Sequence, residues 1–124
     1  MLFYRCEKCG NFITFLGEKG STPVCCGEPM QEVVANTTDA AQEKHVPVVT
    51  VEGSAVKAAV GSVTHPMQEE HFIQFIILET NQGFQKKDLK PGEKPKAEFA
   101  LAEGETPVAV YEYCNLHGLW KKEI

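Results

Sequence analysis

The sequence predicts an all-β chain in two parts: a small metal-stapled N-terminal domain over residues 1–36, then an antiparallel β-sandwich over residues 37–124. Three observations predict it. Residues 1–35 are dense in cysteine and glycine and offer too little apolar surface to fold alone without a staple. From residue 46 onward, short runs rich in Val, Ile, Phe and Ala alternate with loops carrying Gly, Pro or Asn. No stretch of helical length shows a helical apolar repeat.

The elements follow in order. Asn36-Thr37-Thr38-Asp39-Ala40-Ala41-Gln42 is small and polar, and reads as a linker. Val46 to Val51 and Ala55 to Val60 flank Glu52-Gly53-Ser54, a short glycine-bearing loop that predicts a hairpin. His71 to Thr80 is the most apolar strand and ends at the turn signal Asn81-Gln82-Gly83. Phe84 to Leu89, Lys96 to Ala102 and Val108 to Cys114 come next, separated by loops with Pro91-Gly92 and Glu103-Gly104-Glu105. Leu119-Trp120-Lys121 makes a short last strand. About seven strands at this spacing predict an immunoglobulin-like sandwich. Ile73 to Leu78 is apolar on both faces except at Gln74, where a two-layer sandwich normally leaves one face wet. A second subunit or a loop of the same chain would cover the extra face.

Composition excludes several classes. A net charge of −5 argues against nucleic-acid binding, which needs a basic footprint. It leaves room for a small anionic substrate, because a few lysines around one opening make a local positive field. The longest apolar runs, such as Phe75-Ile76-Ile77-Leu78, are too short for a membrane span. Met1-Leu2-Phe3-Tyr4-Arg5-Cys6 lacks the features of a signal peptide. The expectation is a cytoplasmic protein whose clustered thiols bind metal rather than pair as disulfides.

Every cysteine and histidine falls into one of two ligand patterns. Cys6-Glu7-Lys8-Cys9-Gly10 is a CxxC turn followed by glycine, and Cys25-Cys26-Gly27 comes later in the same segment. Four thiolates suit a tetrahedral zinc or a single iron. The adjacent pair Cys25-Cys26 departs from the second CxxC knuckle of a zinc ribbon, so a distorted tetrahedron is expected. The second pattern is His45, His65, His71, Cys114 and His117, with Cys114-Asn115-Leu116-His117 forming a CxxH. His65 precedes Pro66, which favours extended backbone, and the others lie at strand ends or turns. Four imidazoles and one thiolate exceed the four-coordinate shell of structural zinc. On an octahedral ion they leave one position free, and a thiolate donor raises electron density at the metal. Two rivals stand beside a catalytic reading: a non-catalytic electron carrier, whose metals would be coordinatively saturated, and a zinc-stapled interaction module, which would be colourless.

The residues also carry a resemblance. Tyr4-Arg5-Cys6-Glu7-Lys8-Cys9-Gly10-Asn11 with Cys25-Cys26-Gly27-Glu28-Pro29-Met30 resembles desulforedoxin. Glu43-Lys44-His45-Val46-Pro47-Val48, Thr64-His65-Pro66-Met67, His71-Phe72-Ile73 and Cys114-Asn115-Leu116-His117-Gly118-Leu119-Trp120-Lys121 resemble the superoxide reductase domain. The whole chain is similar to the two-iron desulfoferrodoxin family. That resemblance implies two irons per chain, one held by Cys6, Cys9, Cys25 and Cys26, the other by His45, His65, His71, His117 and Cys114. It implies one-electron reduction of superoxide to hydrogen peroxide, with the histidines in a plane and Cys114 trans to the substrate position. Lys44 would attract and hydrogen-bond the substrate, and Glu43 would be the sixth ligand of the resting ferric site. A rubredoxin-like electron donor and a homodimer are implied as well. Phe75 stands where many relatives carry Trp, which bears on packing beside the site.

Overall fold

The computed structural model describes residues 1–18 and 20–124, which divide into two compact units, Met1–Val34 and Ala35–Ile124. In the first unit, β1 (Phe3–Arg5) is the centre of a three-stranded antiparallel sheet between β2 (Phe12–Thr14) and β5 (Gln31–Val33). A separate hairpin joins β3 (Val24–Cys25) to β4 (Glu28–Pro29). Tyr4, Cys6 and Met30 form a buried cluster, with Ile13, Phe15 and Cys25 packed on it. Tyr4 meets Phe15 edge to face at 5.7 Å, and Phe3 meets Phe12 at 5.6 Å. Burying a large apolar side chain stabilises by roughly 1.5–3 kcal/mol. Ordering the backbone costs about 1–2 kcal/mol for every residue. A cluster of this size cannot offset the ordering of its unit, and two of its members are the thiols of Cys6 and Cys25.

The second unit is a two-layer antiparallel sandwich. One sheet has the order β10-β7-β6, from Lys96–Ala100, Ala55–Val60 and Pro47–Glu52. The other has the order β12-β11-β8-β9, from Gly118–Glu123, Pro107–Cys114, Ile73–Thr80 and Gly83–Asp88. Strand alternation sets the core. Val56, Ala58 and Val60 of β7 point inward while Lys57 and Ala59 point out. Phe99 of the neighbouring strand β10 joins them from the same sheet, and facing them are Ile76 and Leu78 of β8 and Val110 and Cys114 of β11. The outer face of β8 carries Phe75 and Ile77, both buried. Phe75 stacks on Tyr113 at 5.6 Å, and the Lys86 ammonium lies over its ring at 5.5 Å. The lysine stem covers apolar surface while its charge stays outward.

Antiparallel pairing gathers one set of strand ends. Val60 pairs with Pro47, and Cys114 pairs with both Ile73 and Gly118. One end of the sandwich therefore holds the start of β6, the end of β7, the start of β8 and the β11–β12 turn. The four-residue helix α1 (Gln42–His45) leads into β6 at this end. Among the described residues, no helix is long and apolar enough to cross a membrane.

Candidate metal centres

The first centre is built by two turns. In the Cys6–Cys9 turn, Gly10 N–H donates to the Cys6 carbonyl at 2.9 Å and Cys9 N–H donates to Cys6 Sγ at 3.4 Å. That amide, followed by burial acting the other way, brings the Cys6 thiol down to about 6. The second turn is the two-residue loop of the β3–β4 hairpin, Cys26-Gly27, where both φ values are positive, 53° and 77°. Positive φ at both central residues is the signature of a type I′ hairpin turn, usually Asn-Gly or Gly-Gly. Placing cysteine there puts adjacent residues on one ion: Cys25 ends the strand, Cys26 occupies the turn, and their sulfurs lie 3.9 Å apart.

All five cysteines of the chain are free. The sulfurs of Cys6, Cys9, Cys25 and Cys26 lie within 4.8 Å of one another, with Cys9 and Cys25 at 3.5 Å. A metal–sulfur bond of about 2.3 Å gives a tetrahedral edge of about 3.8 Å, so the four sulfurs fit one ion. Without a cation, the crowding of thiols opposes ionisation of Cys25 and Cys26. The thiols of Cys9, Cys6 and Cys25 around Cys26 push it up to about 12, and the Cys9 thiol raises Cys25.

The second centre is a ring of imidazoles at the gathered end of the sandwich. His45 comes from α1, His65 from the β7–β8 loop, His71 from the residue pair before β8, and His117 from the β11–β12 turn. Each ring meets two neighbours edge to face: His45–His65 at 4.8 Å, His65–His71 at 4.6 Å, His71–His117 at 5.0 Å and His117–His45 at 4.9 Å. The cycle closes, so His45 lies opposite His71 and His65 opposite His117. Cys114 is fully buried below them on the core side, its sulfur 4.0 Å from His117 Nδ1.

The donor set fits a cation on three grounds. His45 Nδ1–H donates to the Ala41 carbonyl at 2.7 Å, and His65 Nδ1–H donates to the Pro66 carbonyl at 2.6 Å. Carbonyls only accept, so both Nε2 atoms carry lone pairs. Those two lone pairs face each other at 3.2 Å, and His117 Nδ1 stands 3.2 Å from His45 Nε2. Metal–nitrogen bonds of about 2.1 Å at right angles give about 3.0 Å between neighbouring nitrogens. His71 Nε2 is buried with no hydrogen-bond partner, an orphan a metal would satisfy. Burial lowers the pKa of His45 and His71 and takes His65 down to about 4, which keeps these imidazoles neutral and able to ligate. Burial raises the Cys114 thiol, so its ionisation waits on a metal.

Lys44 and Glu43 lie beside this ring on α1, both exposed. The positive charge of Lys44 depresses both His45 and His71, opposite corners of the cycle. Two residues that ligand counting does not single out hold the ring in place. Trp120 stacks on His45 at 5.0 Å and 22°, and its Nε1–H donates to the His117 carbonyl at 3.1 Å. Asn115 accepts from Phe72 N–H at 2.9 Å and donates to the Glu70 carbonyl at 3.1 Å, clamping the segment that carries His71. Glu112 is fully buried two residues before Cys114, and both carboxyl oxygens lack hydrogen-bond partners. Burial alone pushes its pKa well above the carboxylate range.

Comparison with known proteins agrees with this geometry. The desulfoferrodoxin family model matches residues 37–123, and that of the desulfoferrodoxin N-terminal domain matches residues 1–33. A desulfoferrodoxin from Syntrophotalea carbinolica is 50% identical over 120 residues, 97% of this chain and 94% of that one. The superoxide reductase from Treponema pallidum superposes with a TM-score of 0.82 at 39% identity, over 98% of each chain. The 1Fe superoxide reductase from Giardia intestinalis matches 66% of this chain and 97% of its own, with a TM-score of 0.57 at 32% identity. With a four-cysteine group in one unit and a four-histidine, one-cysteine group in the other, this chain belongs to the desulfoferrodoxin family.

Proposed function

We infer that this chain is a superoxide reductase, carrying out the one-electron reduction of superoxide which, with two protons, yields hydrogen peroxide. The closed ring of four imidazoles over a buried thiol carries this reading. Five donors around an octahedral ion leave a sixth place, a requirement for an enzyme and not for a pure electron carrier. Bound iron supplies the redox chemistry. His45, His65, His71, His117 and Cys114 hold that catalytic ion in residues 37–124. Cys6, Cys9, Cys25 and Cys26 hold a second iron in residues 1–36.

The remaining roles belong to side chains around the ring. Lys44 draws the superoxide anion to the site and hydrogen-bonds it there, supported by its electrostatic reach to His45 and His71. Glu43, its neighbour on α1, would supply a carboxylate ligand to the iron in its resting ferric form. Cys114 faces away from solvent on the core side, which leaves the side of Glu43 and Lys44 for the substrate. Electrons come from outside the chain, whose sequence holds no Rossmann or flavin signature, and the family resemblance points to a small rubredoxin-like carrier. The protein acts in the cytoplasm as a homodimer, for which the exposed Val48 on edge strand β6 offers apolar surface.

Metal analysis with visible spectra before and after ascorbate tests the core of this reading. Two irons per chain with thiolate-to-ferric bands are expected, and stoichiometric zinc without colour would overturn it. Lys44→Ala should slow the second-order reaction with superoxide by about tenfold or more and flatten its salt dependence. Glu43→Ala should shift the ferric visible spectrum. An unchanged rate in the first, or an unchanged spectrum in the second, removes that residue from its role.

A further inference from the structure

We propose that the loop Gly61-Ser62-Val63 is a latch that sets the position of Glu43 and Lys44 over the metal ring, with Ser62 as a positioning residue. It rests on the roles given above to Glu43 and Lys44, and goes beyond them to what controls their reach.

α1 is four residues long and its N-cap, Ala41, makes no side-chain hydrogen bond. So short a helix does not hold its own geometry, and its last carbonyls have no partners within the helix. The Ala41 carbonyl accepts from Lys44 N–H and His45 Nδ1–H, and the Gln42 carbonyl accepts from Val46 N–H. The Glu43 carbonyl is taken by the loop instead: Val63 N–H donates to it at 2.8 Å and Ser62 Oγ donates at 3.2 Å. Gly61 makes the approach possible. A β-carbon there would stand 2.6 Å from the Glu43 carbonyl oxygen, 2.9 Å from the Lys44 carbonyl carbon and 3.1 Å from the Val46 carbonyl oxygen. All three neighbours are backbone, so none can rotate away. The loop is anchored in turn at His65, whose N–H donates to the Val60 carbonyl at 3.0 Å. One loop therefore presents a ring histidine and holds the segment bearing the two residues that act on the free side of the ring.

The latch predicts that loosening the loop lowers the effective concentration of the Glu43 carboxylate at the sixth position. An external anion then competes better. In the full-length, iron-loaded protein, Ser62→Ala should tighten azide binding to the ferric site by roughly three- to tenfold. Gly61→Ala should do so by more and also lower the second-order rate with superoxide, through displaced Lys44. Ser62→Thr, which keeps the hydroxyl, should restore wild-type azide affinity, and iron content should be unchanged in both Ser62 variants. Should Gly61→Ala fail to fold, the Ser62 pair decides alone. Glu43→Ala and Lys44→Ala serve as references. If these references shift azide affinity and rate while Ser62→Ala matches wild type, the latch is wrong and the roles of Glu43 and Lys44 stand. If the references shift nothing, those roles fail and the latch falls with them.

Discussion

The two units use metal ligands in opposite ways. In the first, Cys6 and Cys25 belong to the buried cluster itself, while Cys9 and Cys26 are exposed. The ion completes the fold, and the ligands are presented by turns rather than by a prior scaffold. In the second, a sandwich core from Val56 to Val110 closes without any ligand except Cys114, and the histidines sit on loops and the short helix α1 at one end. There the scaffold comes first and the ion is held by it. The difference teaches where each metal's free energy goes: into folding in one unit, into a preorganised donor set in the other.

Removing metal should break the comparison open. Structural metal binding of this kind is worth on the order of 10 kcal/mol in small metal-dependent domains, far more than the cluster around Tyr4 supplies. Cys9→Ser or exhaustive chelation should leave residues 1–34 without protection in amide hydrogen exchange, while β7, β8 and β11 keep theirs. Equal loss in both units would show that the sandwich also depends on its ion. Retained protection in the first unit would show that its apolar cluster suffices.

A smaller effect separates holding the ring from filling the core. Trp120 does both, since it is buried, stacks on His45 and hydrogen-bonds the His117 carbonyl. Trp120→Phe keeps a stacked ring and removes the N–H donor. Loss of one such hydrogen bond costs about 1 kcal/mol, and partners behind metal ligands are typically worth 10–100-fold in affinity or activity. The expected outcome is a modest drop in denaturation midpoint with roughly tenfold weaker iron retention in the second centre. The four-cysteine centre should be unaffected. A variant that loses stability but keeps its iron would make Trp120 a core residue alone.

These contrasts also mark what the sequence reveals. Every residue of the two donor sets is legible, because cysteine and histidine have few other reasons to cluster at these spacings. The seven sandwich strands are legible from short apolar runs set between turn signals, with ends displaced by one or two residues where pairing outruns hydrophobicity, as at Glu52 and Glu123. The Cys25-Cys26 pair reads as a distorted knuckle, yet its cause is a positive-φ turn that favours Asn or Gly and so is hidden by cysteine. The supports of the ring are less visible still. Asn115, Gly61 and Ser62 act through backbone carbonyls and amides of residues distant in sequence, and Trp120 through its stacking on the distant His45, and no spacing encodes that. Glu112 breaks the pattern outright: its strand position is a core position, and only the structure reveals a buried carboxyl there. Asn36, read as the start of a linker, takes part in the sandwich, pairing its side chain with both backbone groups of Lys121.

The smallest predicted effect concerns the sandwich at a loop that carries no ligand, where its stability should owe nothing to metal. Glu105, in the β10–β11 loop, accepts from Thr80 Oγ1–H at 2.6 Å and from Ala102 N–H at 2.9 Å, tying that loop to the end of β8. These bonds, the one from Thr80 first, hold its carboxyl below the ordinary value of 4.5. A carboxylate with a depressed folded-state pKa contributes stability that is present above the unfolded value and lost as pH falls through the folded one. The window therefore opens near 4.5 and extends downward. Glu105→Gln keeps the size and one acceptor but cannot ionise, so the variant should be slightly less stable than wild type near neutrality. The gap should close as pH drops below that window. Because the group is still open to solvent on one side, water screens it and the gap stays small. Denaturation midpoints of the second unit measured across the acid range check the sign. A gap that widens toward low pH would mean that Thr80 and Ala102 do not favour the ionised form.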